Sequence, residues 1–238
     1  MASTDLEKGS IRASSPVGRR NHHHDEPIGN GPSLAPAVRP TRIGNPGTLG
    51  LFSFASTTLI LSLFNLQTRS ITHPNAVVGM AIFCGGLAQL LAGMWEFPRG
   101  NVFGGTAFTS YGAFWMSYAT ILIPGSGIGA AYAVADEFHS ALGIYLITWG
   151  LVTFFFLVGA LGKNWGFISL LTCLTVTFFL LAGSEFTGNA TTGKAGGGVG
   201  VVTALIAYYV GLAELLAAED QPVIRLPIGI ITRKSKQL

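Results

Sequence analysis

Six long apolar stretches run through this chain, and they carry a few side chains that hydrocarbon tolerates poorly: Gln89, Glu96 and Glu214, with Asn65 and a scatter of Ser, Thr and Tyr. In a low-dielectric interior such groups are costly unless they meet one another, water or a polar solute. A carboxamide offers donors and an acceptor, a carboxylate can exchange a proton, and hydroxyls can stand in for water around a solute. No paired Asp, His-rich metal spacing or Ser/His arrangement falls within the stretches. The pattern therefore predicts neither an enzyme nor a bound metal or cofactor. It suggests a polar seam through an apolar body.

The spacing supports that seam. In the second stretch Gly79, Gly86, Gln89, Gly93 and Glu96 recur at steps of three, four and seven, which puts them on one helical face. The third carries Gly104-Gly105, Thr106, Thr109, Ser110, Tyr111, Ser117 and Tyr118; the first Phe54, Thr57, Thr58, Leu61 and Asn65; the sixth Thr203, Ala207, Gly211 and Glu214. Ser and Thr also bond their own backbone or join helices, so no single hydroxyl marks a pathway. Gln89 and Glu96 are harder to explain as packing. Glu214 reads equally as a pore group or as an interfacial charge. Asn45-Pro46 is a helix-start signal. It serves either as an ordinary cap or as a positive helix end that attracts a carboxylate.

The elements that position these groups are read as transmembrane helices at approximately 48–66, 75–95, 103–123, 139–161, 165–183 and 197–218. Each is near the ~20 residues that cross ~30 Å of hydrocarbon. Continuous apolar runs exclude a transmembrane β-barrel, which needs short alternating segments. The charged fraction, 11%, is roughly half that of a soluble domain, in keeping with a membrane protein. Net charge is +3 without a dense basic run, so nucleic acid is not expected as a partner. Cys84 and Cys173 lie inside apolar stretches and read as small packed residues.

The sequence thus predicts an all-α membrane protein, a six-helix transmembrane bundle over 45–220. A disordered cytoplasmic tail at 1–44 precedes it and a cytoplasmic C-terminal tail at 221–238 follows. The His22-His23-His24 run belongs to the solvated tail rather than to a metal site. With no apolar signal segment in 1–44, the first apolar helix is expected to direct insertion. Placing both termini in the cytoplasm puts twelve Lys and Arg inside and only Arg69 and Lys194 outside. The sequon at Asn189-Ala190-Thr191 then falls in an outside loop and makes Asn189 a glycosylation candidate.

Several motifs go further. Asn45-Pro46-Gly47-Thr48-Leu49-Gly50-Leu51, followed by Phe54, resembles the Asn-Pro-Ala-Pro-Leu-Gly-Leu signature of the acetate uptake transporter family. That family includes bacterial succinate–acetate permeases and fungal acetate and ammonia-production membrane proteins. Gly85-Gly86-Leu87-Ala88-Gln89 through Glu96, the run Gly100 to Gly112 ending Thr109-Ser110-Tyr111-Gly112, and Gly211-Leu212-Ala213-Glu214 are similar to it as well. The resemblance spans roughly 43–230. It implies a homo-hexamer with one pathway per protomer and a narrow constriction of Phe54, Tyr111 and Leu174. It implies substrate contacts at Thr57, Gln89, Ser110 and Ala207, to which the helix-start signal adds Asn45 and the polar face of the third helix adds Thr109. The long polar tail is similar to fungal members and implies a multi-pass protein of a fungal plasma membrane. The chain departs from the signature at Gly47 and Thr48, where Ala and Pro are usual. Losing that Pro removes rigidity at the pore mouth.

Under this resemblance the expected cargo is acetate and other small monocarboxylates, with succinate a further substrate. With no Lys or Arg within the spans, a bare anion would pay a large desolvation cost at the neck. Passage as the neutral acid, or with a proton, is therefore expected, and Glu96 and Glu214 are the proton-handling candidates. The alternatives are a passive anion or small-solute channel, an ammonia or ammonium exporter, and a membrane sensor that no longer transports.

Overall fold

A computed structural model describes residues 43–232. The expectations for 1–42 and 233–238, including the His run and most of the basic charge, lie outside the described residues. Among those described, six long helices form the body: α1 (Gly47–Asn65), α2 (Val77–Glu96), α3 (Val102–Leu122), α4 (Ala135–Ala160), α5 (Trp165–Thr187) and α6 (Ala190–Ala217). Short 3₁₀ turns at Thr68–Ser70, Pro124–Ser126 and Gly129–Ala131 occupy the connections. Cys84 and Cys173 are free thiols.

Local chemistry explains most ends. Asn45 Oδ1 accepts from Gly47 N at 3.1 Å and fastens the start of α1. Asn101, Asn164 and Asn189 cap α3, α5 and α6, each accepting from backbone N–H groups in the first turn. Gly188, at φ 63°, ends α5 in the left-handed conformation. Because Asn189 caps so close behind it, α6 begins at Ala190 rather than near 197, and the Gly-rich run from Gly196 lies within the helix.

The helices pack in a ring, α3–α2–α1–α6–α5–α4. Two seams depend on missing side chains, which let backbones approach. A Cβ on Gly197 of α6 would lie 2.9 Å from the Ser62 carbonyl of α1, and one on Gly112 of α3 would lie 2.7 Å from the Leu90 amide of α2. Large aromatic side chains span the remaining gap between α3 and α4. Phe114 meets Trp149 at 5.1 Å and Tyr111 meets Phe156 at 5.7 Å between centroids. Narrow seams on one side and a wide one on the other leave room along the axis.

Five helices, all but α3, are long and apolar enough to cross a membrane. Glycines, hydroxyls and tyrosines lower the hydropathy of α3, yet Phe108, Tyr111, Phe114 and Trp115 make it a main contributor to the core. The outer surface is apolar, with Phe83, Phe155 and Trp165 largely exposed. On a soluble protein so much exposed apolar area would be a liability; in a bilayer it is the solvated face.

In α2 the expected one-face stripe is corrected. Met80–Ala88 is π-helical, so the turn widens and the residues before it fall out of phase with those after it. Gly86, Gln89, Gly93 and Glu96 are buried together, whereas Gly79 is exposed with no neighbour within 4 Å. Val77 and Ala81 take the inward positions at that end.

Candidate solute pathway

Two cavities of about 70 Å³ each lie along the bundle axis. One opens toward the Glu96 end, with walls that include Leu51, Gln89, Glu96, Phe108, Lys163 and Glu214. The other opens toward the Glu185 end and is lined by Thr58, Asn65, Trp115, Tyr118, Leu174 and Glu185, among others. Phe54 and Tyr111 belong to both walls. Their rings stand 5.6 Å apart, tilted by 44°, and form the partition. Leu174, 4% exposed, borders it from the Glu185 side.

Tyr111 is held by more than packing. Its hydroxyl donates to Thr153 Oγ1 at 3.1 Å, and Thr153 donates to the Trp149 carbonyl at 2.8 Å. Both residues are buried. Thr153→Val keeps the shape and removes the acceptor, leaving a buried phenol unpaired at a cost of about 1–3 kcal/mol. The expected result is a lower unfolding midpoint in detergent for Thr153→Val, with recovery when Tyr111→Phe is added. An unchanged midpoint in the single variant would show that the bond contributes nothing.

Three buried polar side chains on the cavity walls lack protein partners among the described residues. Gln89 is fully buried and neither its Oε1 nor its Nε2 is hydrogen-bonded. On the opposite side of the partition, Thr58 Oγ1 and Trp115 Nε1 are also unpaired. Buried polar atoms are normally satisfied, so three such groups on one axis mark places where a polar solute or water would sit.

At the Glu96 end a charged cluster surrounds the start of α1. Asn45 Nδ2 donates to Glu214 Oε2 at 3.2 Å, and its Oδ1 accepts from Arg99 at 2.7 Å. Arg99 lies 3.4 Å from Glu96 Oε2, whose side chain is 1% exposed. Gly47 sits at the centre: a Cβ there would lie 2.9 Å from Glu96 and 3.0 Å from Glu214. At the other end His139 Nδ1 and Glu185 Oε2 are 2.7 Å apart, with Glu185 also on the cavity wall.

The structure brings Phe54, Tyr111, Leu174, Gln89, Glu96 and Glu214 to the axis, with Asn45 bonded to the cluster at one end. It does not put the others on either cavity wall. Thr57 donates to the Ser53 carbonyl at 3.0 Å and packs against Gly85. Ala207 is fully buried, Ser110 is half-buried, and the unpaired Thr109 hydroxyl lies against Gly93 on the α2–α3 seam. Asn189 is exposed and uses its Oδ1 as the α6 cap. Sequence reasoning passed over Lys163, which lines the Glu96-end cavity with its Nζ 4.5 Å from the centroid of Phe103. Lys163 lies in the α4–α5 connection rather than within a span, so the spans hold no Lys or Arg while a cation still reaches the cavity wall. A three-residue gap between two apolar stretches was the available signal, since so short a link cannot carry its charge far from the bundle.

An apolar exterior around a polar axis, interrupted by an aromatic partition, defines a multi-pass helical membrane protein with two internal cavities. The chain belongs to the GPR1/FUN34/yaaH family, whose model matches residues 30–231. It is 43% identical to ammonia transport outward protein 2 of Saccharomyces cerevisiae, over 84% of this chain and 71% of that one. It is 37% identical to the succinate-acetate/proton symporter SatP of Escherichia coli, over 79% and 97%. Among solved structures, that of the bacterial acetate channel SatP superposes with a TM-score of 0.70 at 37% identity, covering 79% of this chain and all of that one.

Proposed function

We propose that the protein moves acetate and other small monocarboxylates through each protomer, with succinate a further substrate, as the neutral acid or together with a proton. The observation that carries this reading is the unpaired Gln89 amide beside the Phe54–Tyr111 partition. A carboxyl group satisfies donor and acceptor together, and the short apolar end suits the aromatic neck. The names of the bacterial relatives support the same cargo. All six helices span the membrane in this reading. Helix α3 tolerates its polar residues because Tyr111 is buried and the exposed Thr106, Ser117 and Thr120 hydroxyls donate to carbonyls of their own helix, and both termini lie in the cytoplasm at the Glu96 end. A fungal plasma membrane and a homo-hexamer remain part of the reading, on the strength of the family resemblance. No enzymatic step is assigned, in keeping with family relatives named as transporters and a channel.

Labelled acetate uptake into cells lacking their own carriers tests the proposal, with propionate, lactate, succinate and ammonium as competitors. Inhibition by short acids and indifference to ammonium are expected; the reverse order would favour ammonia export. Accumulation against an acetate gradient when a proton gradient is imposed separates coupled transport from a passive channel.

Glu96 is the leading candidate to handle the proton, being buried on the cavity wall and in contact, among the described residues, with the single cation Arg99. Glu96→Gln is expected to flatten the dependence of uptake on pH. A profile identical to that of the parent protein removes Glu96 from the proton path.

A further inference from the structure

The Glu96-end cavity has a charge problem for an anion. Two carboxylates, Glu96 and Glu214, are on its wall. Glu96 is neutralised by Arg99, which is itself engaged with Asn45. Among the described residues, Glu214 receives only the Asn45 amide. An incoming carboxylate would be repelled unless another cation faced it, and Lys163 is the cation on that wall.

Lys163 makes no hydrogen bond or ion pair from its ammonium among the described residues; its contact is with the face of Phe103. The ring itself is fixed edge-on against Phe156 and Phe167, at 6.3 and 6.1 Å. A cation over an aromatic face keeps its N–H donors available, because the ring does not use them up.

The backbone of Lys163 is held from an unexpected direction. Residues 227–231, beyond the last helix, run back along the α4–α5 connection. Ile231 N donates to the Lys163 carbonyl at 3.0 Å, while Trp165 N and Gly166 N donate to the carbonyls of Gly229 and Ile228 at 3.0 and 3.1 Å. Tyr209 of α6 anchors the segment through the Pro227 carbonyl at 2.8 Å. Gly229 has φ 67°, a left-handed turn where a side chain would also meet the Trp165 ring at about 3 Å. The pairing starts at the Lys163 carbonyl and continues through Trp165 and Gly166, and with the turn bond from Lys163 N to the Ala160 carbonyl it fixes where the side chain starts.

We propose that Lys163 captures the carboxylate group of the substrate at the Glu96 end of the pathway, and that the C-terminal strap, 227–231, positions it. The proposal rests on the carboxylate-transport reading. Lys163 offsets the repulsion of Glu214 and supplies donors where Gln89 does not reach the rim. The strap makes its placement depend on a segment that sequence reading treats as a tail.

Acetate exchange in proteoliposomes of the full-length protein tests both parts. Lys163→Gln is expected to raise KM for acetate about tenfold, the loss of one charge-assisted hydrogen bond, and to lower maximal flux far less. Lys163→Arg is expected to keep KM within about twofold, since it retains the charge. Added potassium chloride should raise KM of the parent protein and leave that of Lys163→Gln nearly unchanged. Gly229→Val should raise KM to a similar level, with no further increase when combined with Lys163→Gln. Unchanged KM in Lys163→Gln, or equal impairment in Lys163→Arg, overturns the capture role. Unaltered KM in Gly229→Val overturns the strap. A parent protein that exchanges no acetate overturns the transport reading and this assignment together, whereas activity in the parent with an indifferent Lys163→Gln overturns the assignment alone.

Discussion

Gln89→Leu is expected to cut acetate uptake about tenfold or more while leaving the fold at least as stable as before. The two expectations have one cause. Both amide atoms of Gln89 are buried without a protein partner. A buried polar group left unpaired costs roughly 1–3 kcal/mol, so an apolar side chain of similar size relieves the fold. The same substitution deprives a passing carboxyl group of a donor and an acceptor, and about 1.4 kcal/mol of lost interaction is a tenfold change. A thermal shift in detergent together with an uptake assay reads both at once. Loss of stability in step with loss of uptake would mean that the amide serves packing, and a normal uptake rate would remove Gln89 from the pathway.

The second large effect concerns size selection. Phe54 and Tyr111 are the residues common to both cavities, and Tyr111 is braced by a hydrogen bond to Thr153 while the Phe54 ring is held by packing alone. Phe54→Ala should therefore open the partition from one side without releasing the other. Longer monocarboxylates are expected to gain on acetate by roughly tenfold in relative uptake, since one methylene in an apolar site is worth about 1–3 kcal/mol. The fold should lose stability by about 3 kcal/mol, toward the lower end for a buried Phe because one face already borders open space. Phe54→Leu, which fills more of the gap, should fall between the two. Competition by butyrate and lactate is the direct measurement. A preference for acetate that survives Phe54→Ala would would place size discrimination elsewhere than at this partition.

Gly47 and the strap show where local sequence and long-range structure meet. At position 47 the departure from the family signature is a loss of one methyl group, visible in sequence as a mismatch. In the folded chain that methyl would press on Glu96 and Glu214 at about 3 Å. The small residue thus lets two carboxylates and Asn45 converge on the start of α1.

How legible the protein was depends on the range of the interaction concerned. Continuous apolar runs dictate helices, because each backbone group is satisfied within its own segment and the side chains need only an apolar solvent. Helix existence, the polar stripe around Gln89 and Glu96, and the family motifs at Asn45–Leu51 and Thr109–Gly112 were accordingly open to reading. Gly79 was misplaced because a regular 3.6-residue period was carried across a π-helical stretch, whose wider turn arises where Gly85 meets Thr57 and Trp115. Lys163 was missed for a different reason: its role comes from Phe103, some sixty residues earlier (163 against 103), and from Ile231, near the end of the described chain.

By itself, then, the sequence determined the class of protein, the helices, the family and the polar residues that must be shielded from lipid, all of which follow from composition and local periodicity. Only the tertiary structure decided which of those residues share a cavity, that Phe54 and Tyr111 divide it, and that a cation stands at its rim. Those facts depend on the order of the helices around the ring and on contacts between residues far apart in the chain, and no local pattern encodes either.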